Sequence, residues 1–305
     1  MKFIATDVSD SLEKMADRLE ESMANRGRAI DSYFYRSHLV YERELESLIF
    51  RSWLYAAHVS EVPSPGDYQL FEVGEDSIII SRDEDGEIHA LMNICRHRGA
   101  RVCEHASGNR KTFVCPYHGW VYKTNGELKA AREMGMKEGF DKADYGLKKV
   151  PCVVYQGLIF INCDQNAPDF LGPLSHLDRQ LGAYDLPNAK VAHKKSYRVD
   201  ANWKLVLENY LECYHCATSH RAYARLHTLK DLECNTREFV QAMLDRSDEV
   251  TGIDGMSADY YAIYNNAESF GACSYTSRYG LYDGYLTGSE DGQPVAPLMG
   301  HIKGY

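Results

Sequence analysis

Apolar positions recur with a helical period over residues 9–26, where Leu12, Met15, Ala16, Leu19 and Met23 fall on one face. Asp10, with Glu13 three residues on, predicts a capping box, and Gly27 predicts the stop. From about Asp67 the pattern changes to short strands, predicted over 68–73, 77–82 and 87–93 and separated by turn residues at 74–76 and 83–86. Asn125-Gly126, between predicted strands 120–123 and 127–129, suits the positive φ angles of a type I′ turn. The Val- and Ile-rich stretch 152–163 predicts one more strand. Pro168 and Pro173 bracket a candidate boundary. Beyond it Leu174, Leu177 and Leu181 predict a short helix, 191–199 a strand, and Asn202 the N-cap of a helix from Trp203 to about Cys216. After about 230 the pattern loses its period and becomes rich in Tyr and Gly. The resulting expectation is an α+β chain: an N-terminal helical segment at 1–45, a small antiparallel β domain at 46–165, and a second domain at 166–305.

A length of 305 residues agrees with about two domains, and 44% hydrophobic residues exclude general disorder. The 34 basic residues against 44 acidic ones leave a formal charge of −10, which argues against a nucleic-acid partner. No apolar run approaches the ~20 residues that span a bilayer, and the N-terminus turns polar after Phe3-Ile4-Ala5, unlike a signal peptide. A cytoplasmic protein without membrane attachment is expected. There is no G-x-G-x-x-G after a strand and no phosphate-binding loop, so nucleotide cofactors have no evident site. The nine cysteines are odd in number and irregularly spaced. In a reducing compartment they point to metal binding, chemistry or core packing rather than to a disulfide framework.

Four residues of metal-binding type, two Cys and two His, fall into two short runs, Cys95-x-His97 and Cys115-x-x-His118. Two thiolates and two imidazoles suit zinc or an iron–sulfur centre. Zinc fingers usually pair Cys with Cys and His with His in their loops. Here each loop supplies one of each, with C-x-H too tight for the usual finger. That favours a [2Fe–2S] cluster with two cysteines on one iron and two histidines on the other. Arg96, Arg98, Arg101, Arg110 and Lys111 gather around these runs against the overall negative charge. They are either a solvated loop face or a patch that steers an acidic electron donor. Cys103 reads as a structural thiol.

A second constellation lies in 202–220, where Glu212, His215 and His220 are spaced E-x-x-H-x-x-x-x-H. Glu212 and His215 share a helix face. His220 lies about 140° round an ideal helix from His215, so the two meet at one ion only if the helix ends or distorts between them. Two histidines with a carboxylate nearby resemble the donor set of a mononuclear Fe(II) that activates O₂. The order is not the H-E-x-x-H of zinc proteases.

Residues 95–100, CRHRGA, and 115–120, CPYHGW, resemble the two cluster loops of the Rieske non-haem iron oxygenases. Respiratory Rieske proteins carry a further Cys in each loop; Ala100 and Tyr117 stand at those positions, so the resemblance is to the oxygenase type. It implies a Rieske-type [2Fe–2S] cluster on Cys95, His97, Cys115 and His118, and a mononuclear Fe(II) on His215 and His220. It also implies that Glu212 is a carboxylate bridging toward a cluster histidine of the neighbouring subunit in a head-to-tail homotrimer, with Asn209 as a candidate support. Electrons are then expected from a separate NAD(P)H-dependent flavin/iron–sulfur reductase, for O₂-dependent hydroxylation of a small molecule. Glu at 212, within YLECYHC, resembles the branch acting on glycine betaine, stachydrine and carnitine, for which N-demethylation is implied. Aromatic-ring hydroxylation is the second reading. A Rieske electron carrier without oxygenase activity is a third, and it leaves 212–220 unexplained. The catalytic domain implied is a helix-grip fold. The family's third iron ligand lies well over a hundred residues past the second histidine, whereas 85 residues follow His220. Asp254, Asp283 and Asp291 lack a supporting motif, and the catalytic domain is expected to be incomplete.

Overall fold

The structure is a computed structural model and describes residues 10–25, 28–136, 138–170, 181–182, 184–211, 215–227, 281–282 and 284–297, with 245 and 249 besides. It divides into two compact units. One comprises Met1–Leu174 with Asp185–Tyr197, the other Ser175–Tyr184 with Arg198–Tyr305.

The first unit opens with α1 (Leu12–Ala24), α2 (Tyr33–Arg36) and α3 (His38–Ser47). The expected capping box at Asp10 is not formed. Ser11 is the N-cap, its hydroxyl accepting from the Lys14 amide, because the Asp10 carboxylate is engaged elsewhere. It accepts from the Tyr33 hydroxyl at 2.6 Å, the Ser37 hydroxyl at 2.7 Å and the Leu39 amide at 3.0 Å, tying α1 to α2 and α3. No residue of α1 is buried, so its apolar stripe is not core within this chain.

Eleven strands follow among the described residues: β1 (Leu54–His58), β2 (Asp67–Val73), β3 (Asp76–Arg82), β4 (Ile88–Met92), β5 (Ser107–Asn109), β6 (Phe113–Val114), β7 (Val121–Tyr122), β8 (Leu128–Ala130), β9 (Lys149–Val150), β10 (Cys152–Tyr155) and β11 (Leu158–Ile161). They form three antiparallel sheets, in the orders β1-β11-β10, β5-β2-β3-β4-β9 and β6-β7-β8. The unbroken apolar run Ile78-Ile79-Ile80 explains the layering. A strand with water on one face alternates; a continuous run is buried on both. All three isoleucines are fully buried. Ile78 and Ile80 join Ala57, Val62, Ile159 and Ile161 in one core, while Ile79 joins Leu91, Phe113, Trp120 and Tyr122 in the other. At about 1.5–3 kcal/mol for each buried Ile, this triplet holds the five-stranded sheet between its neighbours.

Two local expectations are corrected. The stretch 152–163 is a hairpin, β10 and β11, turning at Gln156-Gly157 with φ of 51° and 77°. Two consecutive left-handed residues suit a two-residue hairpin turn, and the apolar flanks masked it. In the hairpin at Asn125-Gly126 only Gly126 takes positive φ, at 91°. The Gly126 amide bonds Lys123 O and the Lys123 amide bonds Glu127 O, which is a longer turn closed by a left-handed glycine rather than type I′.

The expected strand at 191–199 is absent. Residues 189–200 carry no regular structure. Part of this segment is held by side-chain contacts to residues 58–61 instead of by a backbone ladder. His58 Nε2 donates to Leu186 O at 2.9 Å, the Val191 amide donates to Ser60 Oγ at 3.2 Å, and Lys194 pairs with Glu61 at 2.8 Å.

In the second unit the described helices are α4 (Trp203–Leu211), α5 (Cys216–Ser219) and α6 (Arg221–Leu226). Asn202 caps α4 as expected, its side chain accepting from the Lys204 amide at 3.0 Å. The helix predicted to reach Cys216 is described only to Leu211. The expected helix around Leu174, Leu177 and Leu181 lies largely outside the described residues. Cys95, Cys103, Cys115, Cys152 and Cys163 are free thiols, whereas Cys216 is disulfide-bonded.

Candidate metal centres

The two Cys–His runs form matching loops at the end of the core beside β4 and β6. In each, the cysteine amide bonds the carbonyl five residues on: Cys95 N–H to Ala100 O and Cys115 N–H to Trp120 O, both at 2.8 Å. The glycine four residues on closes the turn from the other side, Gly99 N–H to Cys95 O at 2.9 Å and Gly119 N–H to Cys115 O at 3.0 Å. Both glycines lie in the left-handed region, at φ 76° and 69°, which L side chains adopt at a cost.

This doubled loop brings the four predicted residues into two like pairs. Cys95 and Cys115 are buried at 3% and 2% exposure, close enough for each thiol to influence the other. His97 and His118 sit edge to face with ring centroids 4.6 Å apart, His118 exposed and His97 half-buried. Trp120 stacks on His97 at 5.0 Å and 6° and is itself held edge-on by Phe140 and Tyr145. Burial pushes the Cys115 thiol up, as does its Cys95 neighbour, while the amides of Tyr117 and His118 aimed at its sulfur favour the thiolate. A bound metal reverses the balance, since coordination deprotonates thiols. Two soft buried sulfurs paired apart from two imidazoles fit a binuclear iron–sulfur centre with different ligands on each iron.

Two supporting residues carried no signal in the sequence. Tyr122, fully buried, sets its hydroxyl 3.2 Å from Cys95 Sγ and accepts the Arg96 amide at 3.1 Å. Burial, with Cys95 adding to it, raises the pKa of this hydroxyl, and a thiolate at Cys95, the form a metal holds, would accept a hydrogen bond from it. Asn93, also fully buried, accepts the amides of Val102 and Cys103 at 3.0 and 2.8 Å and donates to Cys103 O at 2.8 Å and Ser77 Oγ at 3.1 Å. It locks the segment after the first loop to the strand before it. Cys103 is structural, as expected: burial pushes its thiol up to about 12. Of the surrounding cations, Arg101 is paired with Glu72 at 3.3 Å, while Arg96, Arg98, Arg110 and Lys111 are exposed.

At the second constellation, His220 adopts φ −119°, ψ 66°, which interrupts the helical path between α5 and α6. The break falls at His220 itself, while 216–219, between the two histidines, stay helical. His215 Nε2 and His220 Nε2 come to 3.2 Å. Two nitrogens about 2.1 Å from one ion lie about 3.0–3.4 Å apart for bond angles between octahedral and tetrahedral, so the pair fits a shared metal. A cavity of about 590 Å³ adjoins His220 and is lined also by Cys216, Ser219, Arg221 and Tyr223. Glu212, Asp254 and Asp283 lie outside the described residues. Asp291 is exposed and its carboxylate accepts from Ser289 Oγ and the Gln293 amide, both at 3.0 Å, which also hold its pKa low.

Comparison with known proteins follows the same division. The Rieske [2Fe-2S] domain family matches residues 52–151, and the catalytic domain of the ring hydroxylating alpha subunit matches 186–275. The glycine betaine monooxygenase oxygenase subunit of Pseudomonas aeruginosa is 35% identical over 303 residues, 97% of this chain and 68% of that one. The chain belongs to the Rieske oxygenase alpha-subunit family. This Rieske oxygenase chain is also 35% identical to the carnitine monooxygenase oxygenase subunit of Acinetobacter pittii over 193 residues, 63% of this chain and 52% of the relative. Among solved structures, the quaternary ammonium Rieske monooxygenase CntA with L-carnitine superposes with a TM-score of 0.59 at 34% identity, covering 65% of this chain and 57% of that one. Naphthalene 1,2-dioxygenase from Rhodococcus sp. gives 0.62 at 32% identity, covering 69% and 50%. The Rieske oxygenase chain thus spans about two thirds of its glycine betaine relative and little more than half of CntA. It carries a [2Fe–2S] domain and the catalytic domain of mononuclear-iron oxygenases. No helix among its described residues is long and apolar enough to cross a membrane.

Proposed function

We propose that this chain is the oxygenase component of a cytoplasmic system that N-demethylates a quaternary ammonium compound, using O₂ and electrons from a separate NAD(P)H-dependent flavin/iron–sulfur reductase. The observation that carries the reading is the approach of His215 and His220 at 3.2 Å downstream of the cluster loops, which an electron carrier does not need. In this reading 46–165 is the Rieske domain and 166–305 the catalytic domain, behind an N-terminal segment at 1–45. Cys95, Cys115, His97 and His118 hold the cluster, and His215 and His220 hold the mononuclear iron. When bound, the two groups supply single electrons and an O₂-activating site. Trp120 fixes the plane of His97, Tyr122 donates to Cys95, and the break at His220 aims both later imidazoles at one point. Glu212 takes the bridging role toward a neighbouring subunit of a homotrimer.

The substrate class rests on the similarity to glycine betaine and carnitine monooxygenase subunits along the chain. Aromatic-ring hydroxylation is the second reading, favoured by the naphthalene dioxygenase superposition. Metal and sulfide analysis of anaerobically purified protein tests the whole: three irons with acid-labile sulfide are expected, falling to two on His220→Ala. Zinc without sulfide overturns the reading. Formaldehyde release with glycine betaine or stachydrine, and none with benzoate, supports the demethylase; hydroxylated benzoate without formaldehyde from either amine selects the ring hydroxylase.

A further inference from the structure

A groove of about 590 Å³ opens on the first unit beside the cysteine loops, and its charged lining is predominantly cationic. Its charged walls are Arg96, Lys142, Lys148 and Lys149 against Glu127 and Asp144, an excess of two positive charges in a chain of formal charge −10. Glu127 is further offset by Lys123, whose ammonium lies 2.6 Å from its carboxylate. All six wall side chains are exposed.

The groove is built by the fold rather than by one flexible loop. Its floor is a close backbone approach: the Leu147 amide donates to Gly126 O at 2.8 Å, and a Cβ on Gly126 would stand 2.7 Å from Leu91 Cδ2. One wall is β9, where Lys149 pairs with Leu91 of β4 and Lys148 O accepts the Met92 amide. β4 itself ends at Met92, three residues before Cys95. The opposite wall includes Arg96, whose amide is bonded to the Tyr122 hydroxyl that contacts Cys95 Sγ. The groove therefore ends one peptide unit from a sulfur of the cluster site.

We propose that this groove is the docking surface for the acidic face of the electron-donor protein, with Lys142, Lys148 and Lys149 as the steering residues. The inference rests on the oxygenase reading and adds the place where the donor sits. A chain of charge −10 repels an acidic partner at long range. Local positive charge at the site of electron entry turns that repulsion into orientation, and its effect falls on association rate and salt dependence. The redox step is the loss of one electron by the reduced iron–sulfur donor and the gain of one by the [2Fe–2S] cluster, with no atom transferred.

The experiment uses the iron-loaded 305-residue chain and, as probe, a reduced acidic plant-type [2Fe–2S] ferredoxin, followed by stopped-flow absorption, with dithionite as a small-molecule reductant. For the unmodified chain the second-order rate with ferredoxin is expected to fall as ionic strength rises. The charge reversal K142E/K148E/K149E is expected to lower it about tenfold or more at low salt, leaving the cluster spectrum unchanged and slowing the small anion dithionite far less. The control K14E/R18E/R43E on α1 and α3 alters net charge equally and is expected to change the rate far less. Equal loss in both triple variants, a salt-independent rate, or reduction by dithionite but not by ferredoxin overturns the docking surface. A chain with no cluster spectrum overturns the oxygenase reading instead, so the two failures are distinct.

Discussion

The Tyr122 hydroxyl lies 3.2 Å from the Cys95 sulfur and accepts the Arg96 amide at 3.1 Å, so a metal-held thiolate at Cys95, with no proton to give, would accept the hydroxyl's hydrogen bond. A donor to a ligand sulfur stabilises the more electron-rich state, so it raises the reduction potential of the group the sulfur holds. Tyr122→Phe removes the donor with little change in volume. The expected outcome is a potential lower by about 40 mV, the equivalent of about 1 kcal/mol for one electron. Redox titration followed by EPR measures it; an unchanged potential removes Tyr122 from this role.

Asn93 uses its whole amide in a fully buried position. Asn93→Ala strands the amides of Val102 and Cys103 without their acceptor. An expected loss of about 3 kcal/mol follows from two buried donors at 1–3 kcal/mol each, partly relieved by relaxation. Denaturant unfolding of the purified chain checks it. Asn93→Asp retains the acceptor oxygens but loses the donors to Cys103 O and Ser77 Oγ, and places a charge in the core, so it is expected to be no better tolerated.

Glycines in the left-handed region differ in what surrounds them. At Gly99 and Gly119 no atom lies within 4 Å of an added Cβ, so alanine meets only the conformational cost, about 1 kcal/mol each. At Gly126 the added carbon also meets Leu91 Cδ2 at 2.7 Å and a buried neighbour must move. Gly126→Ala is expected to cost about 2–3 kcal/mol, more than either loop variant. Thermal unfolding of the three variants side by side gives the order, and equal losses contradict it.

Asp83 closes the β3–β4 turn, accepting from His89 Nε2 at 2.7 Å and from the amides of Glu87 and Asp85. Burial pushes its carboxyl up, yet the His89 hydrogen bond and the two amides outweigh it and hold it below the usual carboxylate range. A lowered folded-state pKa contributes stability above the unfolded carboxylate pKa of about 3.9 and loses it as pH falls through the folded value. Asp83→Asn is expected to be less stable than the unmodified chain by about 1 kcal/mol at neutral pH. The gap is expected to close below about pH 4. Unfolding curves across that range measure the gap; a pH-independent difference refutes the carboxylate as its source.

Much of the chemistry was legible in local spacing. CRH and CPYH, each with its glycine at the fourth position after the cysteine, encode the loop turns that hold them, because a tight turn depends on residues a few positions apart. Likewise the five-residue gap between His215 and His220 demanded a break, and the break sits at His220. The strands 68–73, 77–82 and 87–93 followed from polar turns between apolar runs.

What no local pattern held was which distant groups meet. Tyr122 reaches Cys95 across 27 positions, Asn93 clamps Cys103, and the acceptor for the Trp53 indole is Pro168 O at 2.9 Å. Each depends on which strand packs beside which. The same is true of errors: 191–199 has the composition of a strand but is held by Glu61 and Ser60 instead of a sheet partner, and strand formation needs that partner. The sequence by itself determined the donor types, their spacing and the family. Tertiary structure decided how the donors pair, what tunes them and where the cationic groove lies, because contact between remote residues is set by packing of the whole sheet.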